Sequence, residues 1–380
     1  MKVKKEKVLL RPKDIKPSSA KFEVLSVMNP GVARLGNGDI VLYIRVIEKL
    51  KKSDDKNYCY SPRYVGKNKD DFKIKIDKFS KKGIMDYNNV ACEFKNGTKR
   101  LTFISHFRKV ILDSKGEKIK SIDKKPSFFG LAWDGELGVE DARITKIGDL
   151  YVMTYVTLSK DHNISTSYAI SNDCLRWYRR GIIFKEQNKD VVLFPEMIDK
   201  KYVAFNRPEG NFQFSPPHIW ISFSKDLEFW GESESLDITK EGEWDYGRIG
   251  AGPPPIKTPQ GWLLLYHAVR EKKEAAKDES FFKKTFAHEE VDMTYYYASA
   301  ALFDLKDPSK MIKKSPKPIL SPTKRHQKSL FEDKKVIFPT GIVITDDGKD
   351  ALIYSGAGDG VTTFRKISLA EIMKTLKPVK

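Results

Sequence analysis

The sequence predicts an all-β protein, arranged as a five-bladed β-propeller around a central axial pocket. Two observations carry this reading. A phrase recurs five times with different polar decoration: NPGVARLGNGDIVLYIRV from Asn29, VEDARITKIGDLYVMTYV from Val139, LFPEMIDKKYVAFNRP from Leu193, GPPPIKTPQGWLLLYHAV from Gly252 and FPTGIVITDDGKDALIYSGA from Phe338. Each copy holds a short apolar strand, a turn containing Gly, Asp or Lys, and a second apolar strand. A long period of this kind marks a radial array of β units. The second observation is composition. Segments 39–46, 150–158, 261–269 and 295–305 are rich in Val, Ile, Tyr, Leu and Phe and are bounded by Gly, Pro or Asp, whereas amphipathic helical stretches are scarce. That is strand chemistry.

Taken in order, residues 1–20 read as a basic N-terminal extension and 21–380 as a single domain. The copies begin near residues 29, 140, 194, 252 and 338. The long first interval would hold an irregular unit with strands from DFKIKIDKFSKKG and RLTFISHFRKVILD, which leaves six as the alternative count. Two units carry S-x-D-x-x-x-W, at 171–177 and 224–230. There a turn led by Ser and Asp precedes an aromatic that packs beneath an outer strand. EKKEAAKDESFFKKTF, within 271–290, breaks the spacing of one unit and reads as an inserted loop or short helix near the rim. SLAEIMKTL is the best terminal helix. Rings of this type close when a strand from one terminus completes the unit of the other, which removes an exposed sheet edge.

Composition narrows the function classes. With 40% hydrophobic and 12% aromatic residues the chain has the means to build a core, which excludes global disorder. No run reaches the roughly 18 apolar residues that a bilayer span needs. The N-terminus lacks the apolar stretch and cleavage site of a signal peptide, so a cytoplasmic location is expected. Cys59, Cys92 and Cys174 have no metal-type spacing and read as reduced, buried thiols, and no metal site is expected. The formal charge of +18 is carried by lysines spread along the chain. This predicts a solvated basic surface rather than a nucleic-acid face, and a background that favours small anions.

At the strand openings and strand ends the repeats place polar residues that a core would not hold. The openings give Asn29, then Glu140 and Asp141 with Arg143, then Pro195 and Glu196, then Arg248. The ends of second strands give Arg45, Asn206 with Arg207, His267 and Asp359. Residues that differ in kind at one repeat position suit a shaped site, although inter-unit salt bridges are the alternative for any one of them. Carboxylates in a sugar-sized pocket suggest glycoside chemistry, which usually takes two of them. Here one or two acids stand with Lys189, Arg207, Arg248 and His267. Cations of this kind suit phosphate oxygens. Phosphate is already anionic at neutral pH and needs no base, so one acid and a cationic cradle suffice for phosphorolysis.

The phrases NPGVARLGNG, GVEDARITKIGDLYVMTY, NKDVVLFPEMIDKKYVAFNRP, SPPHIWISFSKDLEFW, RIGAGPPPI and FPTGIVI resemble the β-mannoside phosphorylases and related mannosidases of glycoside hydrolase family 130. The resemblance runs from about Asn29 to Asp359 and is strongest to the members acting on β-1,2-linked manno-oligosaccharides. It implies a five-bladed propeller and an inverting reaction in which phosphate attacks a terminal β-mannosyl unit. The products would be α-mannose 1-phosphate and a shortened acceptor, with no cofactor beyond inorganic phosphate. It further implies Asp141 as the general acid, acting through the sugar 3-hydroxyl. Asn29, Arg45, Arg143 and Asp359 would hold the sugar, and Lys189, Asn206, Arg207, Arg248 and His267 the phosphate. Relatives of this kind are often oligomers, so a homo-oligomer is expected, with no membrane or specific nucleic-acid partner.

Two departures stand out. Ala142 follows Asp141 where the family pattern E-D-P-R has Pro, and Asn206 stands where related phosphorylases often have His before Arg-Pro. Asn donates a hydrogen bond but no charge. Glu289 and Glu290 in the insertion keep hydrolysis by a β-mannosidase as the alternative reaction, and an inert carbohydrate-binding propeller is the alternative class.

Overall fold

The inner strands of the molecule read as near-continuous apolar runs, and the outer ones alternate. Ile40–Leu50 is buried at ten of its eleven residues and Gly261–Val269 throughout, whereas Tyr178–Phe184 and Trp230–Ser235 turn charged or polar side chains to solvent. A strand covered on both faces must be apolar on both, and an outer strand needs only one such face. The computed structural model describes residues 1–52, 55–88, 90–210, 214–269, 295–322 and 335–379. Among them the structure is all-β with one α-helix, Leu369–Thr375, at the end of the chain where it was expected.

The strands form successive antiparallel sheets. The first runs Phe22–Arg34, Ile40–Leu50, Phe103–Leu112 and Ile119–Ile122. The second runs Gly138–Ile147, Leu150–Ser159, Asn163–Ser171 and Tyr178–Phe184. The third is Asn188–Leu193, Tyr202–Pro208, Trp220–Ser224 and Trp230–Ser235. Arg248–Ala251, Gly261–Val269, Tyr295–Phe303 and Met311–Lys314 build the fourth. The fifth comprises Lys335–Ile344, Asp350–Ala357, Val361–Ser368 and, from the other end of the chain, Val3–Leu10. The fourth and fifth are joined where Tyr295 and Tyr296 pair in parallel with Lys335 and Val336.

Two sequence expectations change here. Residues 1–20 do not precede the fold as an extension, because Val3–Leu10 pairs along its length with Val361–Ser368 and buries Leu9 and Leu10. Its lysines face outward, where Lys4 meets Asp350 and Lys5 meets Glu117, as suits an edge strand that must not recruit another. The long first interval holds an excursion rather than a unit. RLTFISHFRKVILD supplies the third strand of the first sheet, Phe103–Leu112. Ile74–Ser80 pairs with Tyr58–Tyr64, and a three-stranded piece follows from Ile84 to Leu101. Cys59 and Cys92 lie on this excursion and their sulfurs are 3.0 Å apart; both are buried, as is Cys174.

Both S-x-D-x-x-x-W turns form. Asp173 accepts from the amides of Leu175 and Arg176, and Asp226 from those of Glu228 and Phe229. Trp177 then packs into the cluster around Tyr43, Phe107 and Tyr155, and Trp230 against Phe184. The inserted segment 271–290, with Glu289 and Glu290, lies outside the described residues.

Candidate active site

Three of the first strands carry a bulge at the same relative place. Pairing skips between Met28 and Gly31, between Glu140 and Arg143, and between Lys189 and Val192. At each skip an Asn or Asp takes a left-handed backbone: Asn29 has φ 46°, Asp141 53° and Asp190 54°. Asn and Asp visit that region at lower cost than other side chains, because a short polar group hydrogen-bonds locally. A bulge re-aims its side chain out of the strand's alternation. All three side chains line a single cavity of about 670 Å³.

On one side of the cavity stand the acids. Arg45, opposite Met28 on the next strand, donates from Nη1 to Asp141 Oδ1 at 3.0 Å and from Nη2 to the Glu140 carboxylate. Asn29 Nδ2 donates to the same Asp141 oxygen at 2.9 Å. Burial works to raise the Asp141 carboxyl, but the guanidiniums of Arg45 and Arg143 and the Asn29 hydrogen bond outweigh it and hold the group below the usual carboxylate range. Glu140 goes the other way, since burial and the neighbouring Asp141 charge push it up against the pull of Arg45.

Across the floor lie the cations. Asp190 Oδ2 is 2.6 Å from Arg207 Nη1 and 3.3 Å from His267 Nε2. Arg207 Nη2 reaches Glu209 at 2.7 Å, and Arg248 Nη1 reaches the same carboxylate oxygen at 3.5 Å. Burial opposes ionisation of Asp190, yet Arg207, the contact with His267 and Arg143 hold it far below the usual range. Burial lowers His267, which keeps its imidazole neutral. Gly250 makes this packing feasible: a Cβ there would stand 2.4 Å from Asp190 Oδ2, 2.5 Å from Arg207 Nη1 and 2.6 Å from His267 Cε1.

The cation cluster is thus largely self-neutralised. Arg45, Arg143, Arg207 and Arg248 each meet a carboxylate, and Lys189 alone of the cations discussed forms no ion pair among the described residues. What the site offers an anion beyond these pairs is Lys189. Arg45 Nε, Arg207 Nε, Arg248 Nε and His267 Nδ1 are buried with no hydrogen-bond partner among the described residues. Native interiors rarely leave such groups unpaired, so their gathering at one cavity marks a place for a polar ligand.

Of the residues singled out in the sequence, Asn29, Arg45, Glu140, Asp141, Lys189, Arg207, Arg248, His267 and Asp359 line the cavity. Arg143, Asn206, Pro195 and Glu196 do not. Arg143 lies beneath the floor, 1% exposed, and spends its donors on the carbonyls of Gly252 and Asp141 and on Asp190. Asn206 accepts from Asn188 at 3.0 Å and donates to Ser222 at 2.9 Å, so both ends of its amide are used inside the third sheet. Glu196 also falls away from the site, exposed and paired with Lys257. The reason is one of phase: the third sheet opens at Asn188, not at Leu193, so Asp190 occupies the place that the repeat reading gave to Glu196. Asp190, Tyr296 and Phe338 are cavity residues that the sequence reading missed. The run of Asn29, Asp141 and Asp190, each on the opening strand of a sheet, is the signal that would have found the first.

Sheets whose ends collect acids and cations round one sugar-sized cavity describe a carbohydrate-active protein, and comparison with known proteins gives the family. The family model described as beta-1,4-mannooligosaccharide phosphorylase matches residues 87–378. The chain belongs to this family, glycoside hydrolase family 130. A beta-1,2-mannobiose phosphorylase of Listeria innocua is 32% identical over 98% of this chain and 97% of its own length. A 1,2-beta-oligomannan phosphorylase of a Thermoanaerobacter species is 34% identical over 62% of this chain and 70% of its own. In structure, the Listeria innocua beta-1,2-mannobiose phosphorylase in complex with beta-1,2-mannobiose superimposes with a TM-score of 0.80, at 31% identity, covering 97% of this chain and 96% of that one.

Proposed function

We propose that the chain is an inverting β-mannoside phosphorylase acting on β-1,2-linked manno-oligosaccharides, and that its sheets stand as the five blades of a propeller whose axial pocket is the cavity described above. The closed arrangement draws support from the side-by-side packing of the opening strand Phe22–Arg34 with Gly138–Ile147 on one flank and Lys335–Ile344 on the other. Full-length similarity to a named β-1,2-mannobiose phosphorylase supports the substrate.

In this reading a phosphate oxygen forms the new bond to the anomeric carbon from the face opposite the glycosidic oxygen. The old C–O bond breaks as that oxygen takes a proton originating from Asp141, relayed through the sugar 3-hydroxyl. α-Mannose 1-phosphate and a shortened acceptor leave. Asn29, Arg45 and Asp359 hold the sugar, while Lys189, Arg207, Arg248 and His267 receive the anion. Arg143 and Asp190 position both groups from beneath. No cofactor beyond phosphate enters this scheme. Arg45, Arg143 and Asn29 favour the ionised form of Asp141, so it must gain its proton as the ligands bind. An incoming phosphate offsets the nearby guanidinium charge and works in that direction.

The observation that carries the proposal is that Asp141 lines the same cavity as Lys189, Arg207, Arg248 and His267. Incubation with β-1,2-mannobiose, with and without inorganic phosphate, tests it. Mannose 1-phosphate formed only when phosphate is present is the expected result. Free mannose released at the same rate without phosphate would replace the phosphorylase with a mannosidase.

A further inference from the structure

Beyond the residues assigned to the sugar and the phosphate, the cavity continues along walls to which the proposed reaction assigns no residue. Along the first sheet the cross-strand pairs step outward from Met28–Arg45 to Ser26–Ile47 and then Glu23–Lys49. Alternate residues on a strand share a face at a spacing of about 6.6 Å, roughly the length of one sugar ring. One such step beyond Arg45 the walls change character. Leu25, Ile47, Leu101, Phe103, Leu158 and Ile164 form a collar, and Glu23 and Lys49 are the charged residues at its edge. Leu101 and Phe103 arrive at the end of the excursion in the first sheet, and Leu158 faces Ile164 across the turn of the second. Leu25, Leu101, Phe103 and Ile164 are all partly exposed within the cavity.

These six side chains have no hydrogen-bonding group. A leaving sugar seated among them gains no hydrogen bond from these six side chains and keeps water, Glu23 and Lys49 as partners for its hydroxyls. An alkyl or aryl group there gains from leaving water in proportion to its area. We propose that the collar is an acceptor-side binding site for an apolar aglycone, so that the protein accepts alkyl or aryl β-mannosides. In the synthetic direction it would then mannosylate alcohols that carry an apolar tail. This rests on the function proposed above and specifies the leaving-group side of the same site. Bond changes are unaltered: the glycosidic oxygen departs as the hydroxyl of the apolar alcohol after taking the same proton.

The test compares hexyl β-mannoside with methyl β-mannoside, with β-1,2-mannobiose as control, each with saturating phosphate. kcat/KM for the hexyl compound is expected to exceed that for the methyl compound by tenfold or more. In Leu25→Ser and Phe103→Ser that ratio should fall by fivefold or more; neither side chain belongs to a buried core cluster. A wild-type ratio near one, or an unchanged ratio in both variants, overturns the proposal. Calorimetric binding of the two glycosides to the same proteins separates the two readings. If mannobiose is not phosphorolysed the functional reading has failed. The collar still stands when hexyl β-mannoside binds at least tenfold more tightly than methyl and the serine variants abolish the difference, and it falls when they bind alike.

Discussion

Arg143 and Asp190 meet at 3.3 Å beneath the cavity, and through this pair the acid side of the site is tied to the cation side. Arg143 also holds the main-chain carbonyl of Asp141 at 2.6 Å, while the Asp190 carboxylate is 2.6 Å from Arg207. Asp141 on one side of the cavity and Arg207 on the other therefore share one buried strut.

Asp190→Asn should act first on stability. It removes the negative charge shared by Arg143 and Arg207, both nearly inaccessible to solvent. Stripping one partner from a buried ion pair typically costs about 3–5 kcal/mol. Denaturant unfolding at neutral pH should show a loss of this order, and a loss below about 1 kcal/mol would mean that the strut is not structural. Lys189→Ala gives the contrast. With no ion pair to break, it should leave stability nearly unchanged and raise the phosphate KM tenfold or more, leaving the KM for mannobiose close to wild type.

Asp141→Asn keeps the shape and an acceptor for Asn29 but removes the carboxyl proposed above as the proton donor. General acid catalysis contributes roughly 10²–10⁴-fold, so kcat should fall by that factor while mannobiose still binds. Steady-state kinetics paired with calorimetry separate the two effects. A variant retaining near wild-type kcat would move the acid elsewhere, with Glu140 the next candidate because burial pushes its carboxyl up.

Gly250→Ala is expected to disturb Asp190 and Arg207 without touching Glu140 or Asp141. The added methyl would stand 2.4 Å from Asp190 Oδ2 and 2.5 Å from Arg207 Nη1. Overpacking of this kind costs about 1–3 kcal/mol. The predicted phenotype is reduced stability together with a raised phosphate KM; unchanged values for both would contradict the packing described.

Acid sensitivity follows from the buried histidines. His106 and His267 are fully enclosed, and burial lowers both, with Arg108 reinforcing it for His106. A histidine neutral in the folded state but free to protonate when unfolded contributes stability above its unfolded pKa. That contribution is lost as the pH falls below about 6.5. Each such group should cost about 1 kcal/mol between pH 7 and 5.5. His106→Asn should flatten the decline by that amount in urea titrations at the two pH values, whereas equal declines would show that His106 is already charged in the fold.

Much of this architecture is legible in the chain because the inner strands must be apolar on both faces, and the repeats at Val139, Gly252 and Phe338 announce themselves that way. Asp141, Arg45, Arg207, Arg248 and His267 were found because charged residues at strand ends conflict with that pattern. What escaped detection escaped for physical reasons. Val3–Leu10 is lysine-rich because it is an edge strand, so it resembles a tail. Asp190 escapes because the apolar phrase of that repeat becomes recognisable only at Leu193, the last residue of the opening strand that starts at Asn188. Arg143 and Asn206 were placed at the ligand because sequence shows which residues are polar but not which already have partners: Asn206 is satisfied by Asn188 and Ser222.

The most direct measurement is a crystal soaked with mannose and inorganic phosphate. The account predicts mannose against Asp141, Asn29 and Arg45, with the anion within hydrogen-bond distance of Lys189, Arg207 and Arg248 on the opposite face of the anomeric carbon. An anion bound outside this cavity, with those side chains making no contact to it, would contradict the account.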